Sequence, residues 1–520
     1  MEVIEADGYY LPPELGENVK TFRTKVYQDG KIRVHLKIPS VSRAMVEVLA
    51  DYLKKEREKY LAHQPIERII EVLDEASRRW LEKSYPAREL VLKTIPVITG
   101  FSREVVEASV DAEMESSLRE DIYRALRSEI KNPLYLDDFQ YSPELDGYCR
   151  VFGPKLIVSF FSENIPGLPH LLFMRSALVK AACLGKVAAG EPTFAPLYLK
   201  SIEEIDPRMA RCMAVLYWRG GEEALEEAAF NQADAVIIFG GVEACKSLTS
   251  RIPRKIRVLV HGHKLSFGVI GRERLRHQEL EELVAAVAYD CSMFDQQACL
   301  APHGYFLEEG GEVSPKEFAH TLAAAMATMN EKMPRGRLSP AEASAINQLR
   351  GRYEFKELNG DDVLLFASPR GTDWTVLYER NPEIFRPSPL NRTLWIWGVG
   401  DVFRIFPKIQ SLEPFLQNAA VAIGDEREEE LIRRLAELGV TRITSPGKMS
   451  LPSMMWHHDG ISPLASLVRW CDVEKKDRIG VMKRTKKGGR RKAGLPSGWD
   501  HHAPPDAFRG PRGVSKNRVW

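Results

Sequence analysis

The stretch Ala235-Val-Ile-Ile-Phe-Gly-Gly-Val-Glu-Ala-Cys-Lys-Ser247 joins an apolar run to a glycine pair and then to a helix-compatible segment. A short, β-branched apolar run that ends in glycine reads as a strand buried on both faces. Similar runs recur at Leu156-Ile-Val-Ser-Phe-Phe161, Met213-Ala-Val-Leu-Tyr-Trp218 and Ile256-Arg-Val-Leu-Val260, with helical stretches between them. That alternation predicts an α/β protein with a parallel sheet. Two glycine pairs, Gly220-Gly221 and Gly240-Gly241, follow strands directly. In an open parallel sheet this is where backbone N–H groups and a helix N-terminus approach a phosphate. No GxGxxG pattern is present, so the pairs read equally well as plain turns.

Upstream, residues 41 to 131 read as helical. Met45, Val48, Leu49, Tyr52 and Leu53 form one apolar stripe, and Ile66, Ile69, Ile70 and Leu73 form a second, both read as core packing. Downstream, strands are predicted at Val363–Ala367, Trp374–Tyr378 and Thr393–Trp397. A β-α-β unit follows: Ala419–Ile423, a helix from Glu428 to Leu438 stopped by Gly439, and Thr441–Thr444. The last 45 or so residues, with Lys483-Arg-Thr-Lys-Lys and Arg490-Arg-Lys492, read as a basic, flexible tail.

Composition narrows the function classes. The 520 residues are 44% hydrophobic and 28% charged, with a net charge of +1. This is a globular composition with no overall electrostatic case for nucleic acid or membrane. The acidic start Met1-Glu-Val-Ile-Glu-Ala-Asp is not a signal pattern, and no apolar run is long enough to span a bilayer, so the expected location is cytoplasmic. Seven cysteines lack CxxC spacing, which argues against a disulfide framework or a cysteine-based zinc site. One of them, Cys299, lies in Phe294-Asp-Gln-Gln-Ala-Cys-Leu-Ala-Pro302. A polar approach followed by an apolar stop suggests a presented thiol, able to accept an acyl group and hold it as a thioester. A free cysteine is also an ordinary small core residue.

Further elements complete a pattern: Thr99-Gly-Phe-Ser102, Asn164-Ile-Pro-Gly167, Gly185-Lys-Val-Ala-Ala-Gly-Glu-Pro192, Trp218-Arg-Gly-Gly221, Phe239-Gly-Gly241, His263-Lys-Leu-Ser-Phe-Gly268, Asp295–Pro302, His458-Asp-Gly460 and Leu467-Val-Arg-Trp470. In this order the chain resembles the LuxC-type acyl-CoA reductases, relatives of the aldehyde dehydrogenase superfamily, from about residue 90 to 472. The resemblance implies an aldehyde dehydrogenase-like fold: a Rossmann-type nucleotide-binding domain, an α/β catalytic domain and a helical N-terminal region. The expected boundaries are 1–148 for the helical part of the nucleotide-binding domain, 149–262 for the cofactor core and 263–445 for the catalytic domain. Residues 446–473 are the return to the first domain and 474–520 the tail. Carried over residue by residue, Cys299 is the acyl-accepting nucleophile and Asn164 an oxyanion donor. Lys186 is a ribose ligand, and Gly220, Gly221, Gly240 and Gly241 are the cofactor turns. Left to themselves, Asn164 is a turn residue before Pro166 and Lys186 a solvated charge.

Ala189 stands where NAD-preferring relatives often carry a glutamate, so NADPH is the expected cofactor and NADH is permitted. From Arg257 to Ile270 there is no carboxylate, and Val260 takes the place of the superfamily's hydrolytic glutamate. An acyl-cysteine would then survive to be reduced. His261 and His263 are read as packed side chains or proton donors, with no third ligand for a metal. His457-His458-Asp459 is read as structural. The expected reaction is reduction of an acyl-CoA or acyl-protein thioester to an aldehyde. The alternatives are a CoA-acylating aldehyde dehydrogenase running oxidatively, or a non-redox acyl carrier. The resemblance also implies an acyl-activating synthetase as partner and a homo-oligomer.

Overall fold

The computed structural model describes residues 1–17, 19 and 21–474, so the expected basic tail lies outside the described residues. A five-stranded parallel sheet has the order Arg257–His261, Ala235–Phe239, Leu156–Phe160, Ala182–Lys186, Met213–Leu216. The order of the strands reverses between Leu156–Phe160 and Ala235–Phe239, and a crevice opens there at the strands' carboxyl ends. These strands are apolar and buried on both faces, as helices cover both sides. Ala182–Lys186, which the sequence offered only as a motif, completes the sheet. Its Gly185 leaves room for the Phe161 ring, which would lie 2.5 Å from an added Cβ.

A second sheet has seven strands in the order Val363–Ala367, Thr375–Arg380, Thr393–Val399, Pro302–Glu308, Leu265–Ile270, Leu416–Ala422, Arg442–Thr444. Only the first pair is antiparallel. The predicted β-α-β unit is present, with its helix at Asp425–Glu437 and Gly439 at φ +104°. Its first strand starts at Leu416, three residues before the sequence placed it, so Gln417 and Asn418 are buried strand residues. The return segment ends in Arg469–Val473, antiparallel to Gly147–Phe152.

The expected helical stretch is present as Arg43–Lys59, Ile66–Leu81, Pro86–Thr99, Arg103–Glu115 and Arg119–Ile130. Ser42 and Ser102 cap two of these helices, and Gly100 closes a third in the left-handed region at φ +91°. The helices do not begin the chain. Glu2–Asp7, Phe22–Asp29 and Ile32–Pro39 form a three-stranded sheet, in which Val34, Leu36 and Ile38 alternate inward. No helix among the described residues is long and apolar enough to cross a membrane.

Leu265–Ile270 and Pro302–Glu308 flank the Cys299 segment, and their contact is closest at Gly268. A Cβ there would meet the buried Tyr305 ring at 2.0 Å. Gly268→Ala is therefore expected to destabilise the fold by about 1–3 kcal/mol through overpacking, as measured by denaturant unfolding.

Candidate active site

Cys299 follows a backbone turn that L-residues seldom adopt. Phe294, Asp295 and Gln296 have φ of 54°, 49° and 66°, each a left-handed conformation costing roughly 1–2 kcal/mol. Buried interactions hold the turn. The Arg392 guanidinium donates from Nε to Asp295 Oδ1 at 2.8 Å, with Nη2 2.7 Å from the same oxygen; Asp295 Oδ2 accepts from the Gly336 amide at 3.0 Å. Gln296 donates to the carbonyls of Pro302 and Thr393 and accepts from Thr393 N–H, at 2.7–2.9 Å. Beyond the turn, Asn164 Nδ2 donates to Gln297 O at 2.9 Å, Ser266 Oγ to Cys299 O at 2.7 Å and Asn418 Nδ2 to Leu300 O at 3.1 Å. Three separate segments thus fix the cysteine backbone.

Cys299 opens onto a cavity of about 670 Å3 between the two sheets. Asn164, Lys186, Gly220, Gly221, Gly240 and Gly241 line the same cavity, so the nucleophile, oxyanion and cofactor candidates that the resemblance named converge there. Lys186 ends the strand Ala182–Lys186; burial lowers its ammonium pKa, and the Glu226 and Glu163 charges act in the opposite direction. Glu226 is itself paired with Arg251, which also lines the cavity. Gly221 has φ +84°, and a Cβ added at Gly220, Gly221 or Gly241 would meet nothing within 4 Å. The helix Val242–Thr249 begins at Gly241 without a side-chain cap, leaving its first N–H groups to the crevice. These features fit a dinucleotide pyrophosphate.

Burial pushes the Cys299 thiol up to about 12. The nearby Asp459 carboxylate adds to the rise, while the backbone N–H of Cys299, the Gln417 amide and the Lys264 charge oppose it. Asp459 is the carboxylate that the strand Arg257–His261 lacks, and it arrives from the closing motif at φ 56°. Both its oxygens are engaged: Oδ1 accepts from Gln417 Nε2 and Oδ2 from His261 Nδ1, each at 2.9 Å. Val260 does not line the cavity, whereas His261 does. The sequence supplied no third partner beside His261 and His263. The strand ends at His261, with His263 in the loop beyond it, and the fold brings His261, His458 and Asp459 within 4.8 Å. The imidazoles of His261 and His458 stack with centroids 4.1 Å apart, so their in-plane lone pairs do not converge on one ion. His458 stacks in turn on Trp456.

Sequence reasoning missed Gln417, Asp459 as a partner of the cysteine, Arg175, Arg251 and Arg392. Only Gln417-Asn418 left a signal, as adjacent amides where the strand Leu416–Ala422 begins.

Solved structures share the fold. Aldehyde dehydrogenase 21 from Physcomitrella patens aligns with a TM-score of 0.67 at 11% identity, over 91% of this chain and 98% of that one. NADP-dependent glyceraldehyde-3-phosphate dehydrogenase from Bacillus halodurans aligns with a TM-score of 0.60 at 14% identity, over 87% and 95%. The architecture is that of an aldehyde dehydrogenase-like oxidoreductase, with a cysteine facing a nucleotide-sized crevice. Residues 61–470 match the acyl-CoA reductase (LuxC) family, and the chain belongs to it: an acyl reductase that forms an aldehyde. Its relatives include the long-chain acyl-protein thioester reductases of Vibrio harveyi, 24% identical over 80% of this chain and 84% of that protein, and of Photorhabdus luminescens, 25% identical over 86% and 88%.

Removing one partner of a buried pair strands the other charge. Arg392→Met is expected to lower unfolding free energy by about 3–5 kcal/mol in chemical denaturation.

Proposed function

We propose that the enzyme reduces an acyl-CoA or acyl-protein thioester to the aldehyde through an acyl-Cys299 intermediate, with NADPH as reductant. The observation that carries this reading is the convergence of Cys299 and Asn164 with Lys186 and both glycine turns on one cavity. In this reading residues 149–262 form the cofactor core and 263–445 the catalytic unit, with 1–148 packed on the former and 446–473 returning to it. The donor is a thioester because the related long-chain enzymes are named for that substrate. Ile165, Leu168, Leu171 and Met454 supply apolar wall for the acyl chain.

Cys299 Sγ adds to the thioester carbonyl, and collapse expels the carrier thiol. The second N–H of Asn164 and the Cys299 backbone N–H face the oxygen on which negative charge develops, lowering the barrier to this addition and to the later reduction. When bound, NADPH supplies the hydride that reduces the acyl carbon. Collapse of the thiohemiacetal then returns the Cys299 thiolate and releases aldehyde. One proton and one NADPH are consumed for each thioester. Lys186 and the Gly221 and Gly241 turns hold the dinucleotide, and Ala189 leaves space at the ribose for a 2′-phosphate, so NADPH is preferred to NADH. The synthetase partner, the homo-oligomer and the cytoplasmic setting belong to the same proposal.

Acyl-CoA-dependent loss of NADPH absorbance tests the reading. Cys299→Ala is expected to reduce turnover by at least about 1000-fold while still binding NADPH; wild-type turnover in this variant would refute the mechanism. Lys186→Met is expected to weaken NADPH binding about tenfold in a fluorescence titration.

A further inference from the structure

Burial raises the Cys299 thiol pKa, so acylation needs a group that takes its proton. We propose that His261, oriented by Asp459, is the acid–base residue that takes this proton and returns it to the departing carrier thiol. The inference rests on the reading of Cys299 as the acylated nucleophile.

Three observations support it. First, Asp459 Oδ2 accepts the Nδ1 proton of His261 at 2.9 Å, which leaves the lone pair on Nε2. Second, His261 is 4% exposed, lines the cavity that Cys299 opens onto, and its Nε2 has no hydrogen-bond partner among the described residues. A buried polar atom left without a partner is unfavourable, and an incoming donor relieves that. Third, the other oxygen of Asp459 accepts from Gln417 at 2.9 Å, and the Asp459 charge and the Gln417 amide both act on the Cys299 thiol, the first raising and the second lowering its pKa. One carboxylate therefore organises both the nucleophile and the imidazole.

Burial favours the basic, neutral form of the imidazole. Burial lowers the His261 pKa, Arg175 and Lys264 lower it further, and Asp459 opposes them. The stacked His458 is pushed well below its ordinary value by burial, by His261 and by the same two cations. Both rings are thus neutral at neutral pH, and His261 is the one whose free nitrogen is set by a carboxylate.

The proton bookkeeping is simple. As the Sγ–C bond forms, the thiol proton moves to His261 Nε2, directly or through one water, and the carbonyl π pair moves to oxygen. As the oxyanion collapses, the carrier's C–S bond breaks, and its sulfur takes the proton from Nε2. The imidazole ends neutral, and no other reactant is needed.

Alkylation of Cys299 by iodoacetamide, read by mass spectrometry of its peptide across a pH series, tests the proposal without any thioester. His261→Asn retains an N–H donor for Asp459 and lacks Nε2. The wild-type rate is expected to level off below about pH 6.5, once the lowered His261 pKa has been passed. The His261→Asn rate is expected to be about 100-fold lower at pH 7, rising with hydroxide without levelling, and free imidazole is expected to restore part of the loss to His261→Ala. His458→Asn removes the stacked ring but keeps Nε2, and is expected to keep the plateau. A wild-type profile in His261→Asn, or an equal loss in His261→Asn and His458→Asn, overturns the proposal. If instead the wild-type protein shows the plateau but no acyl-CoA-dependent NADPH oxidation, the thioester reading fails and with it the return of the proton to a carrier thiol, while His261 stands as the base toward the Cys299 thiol.

Discussion

The buried ion pair between Asp295 and Arg392 is the constraint on which the candidate site depends. Three consecutive residues in left-handed backbone, none of them glycine, would relax without compensation. The pair supplies it at Asp295, and the three hydrogen bonds of Gln296 do so one residue later. Arg392 also donates to the Met333 carbonyl and to Asn330, tying the turn to the end of the helix Pro315–Lys332. The Cys299 segment is therefore held from the side of the seven-stranded sheet, while Asn164 holds it from the side of the five-stranded sheet. In the proposed mechanism Cys299 and Asn164 come from opposite walls, and they stay in register only if this turn does not move.

Much of the scaffold was legible in the sequence because its physics is local. Parallel strands covered on both faces must be continuous apolar runs, and Ala235–Phe239 ending in Gly240-Gly241 shows both the strand and the crevice beyond it. Strands whose composition answers to a distant neighbour were not legible. Leu265–Ile270 carries a serine and a glycine because Ser266 bonds the Cys299 carbonyl and Gly268 makes way for Tyr305. The N-terminal sheet was a different kind of miss, since the alternation of Val34, Leu36 and Ile38 was present and unread.

The site divides in the same way. Cys299, Asn164, Lys186 and the glycine turns lie in motifs and were found by resemblance to a family. Asp459 and Gln417 become neighbours of Cys299 only when the strand Leu416–Ala422 and the closing loop fold against the first domain. Between Arg257 and Ile270 the sequence has no carboxylate. What a single sequence could not show is that a carboxylate reaches the site from elsewhere, with both oxygens already engaged by Gln417 and His261.

The most direct measurement is mass spectrometry of the intact protein after mixing with an acyl-CoA in the absence of cofactor, followed by addition of NADPH. The expected result is one added acyl mass located on the Cys299 peptide, discharged by NADPH with aldehyde formed in equal amount. An unmodified Cys299 peptide alongside aldehyde production would contradict the account.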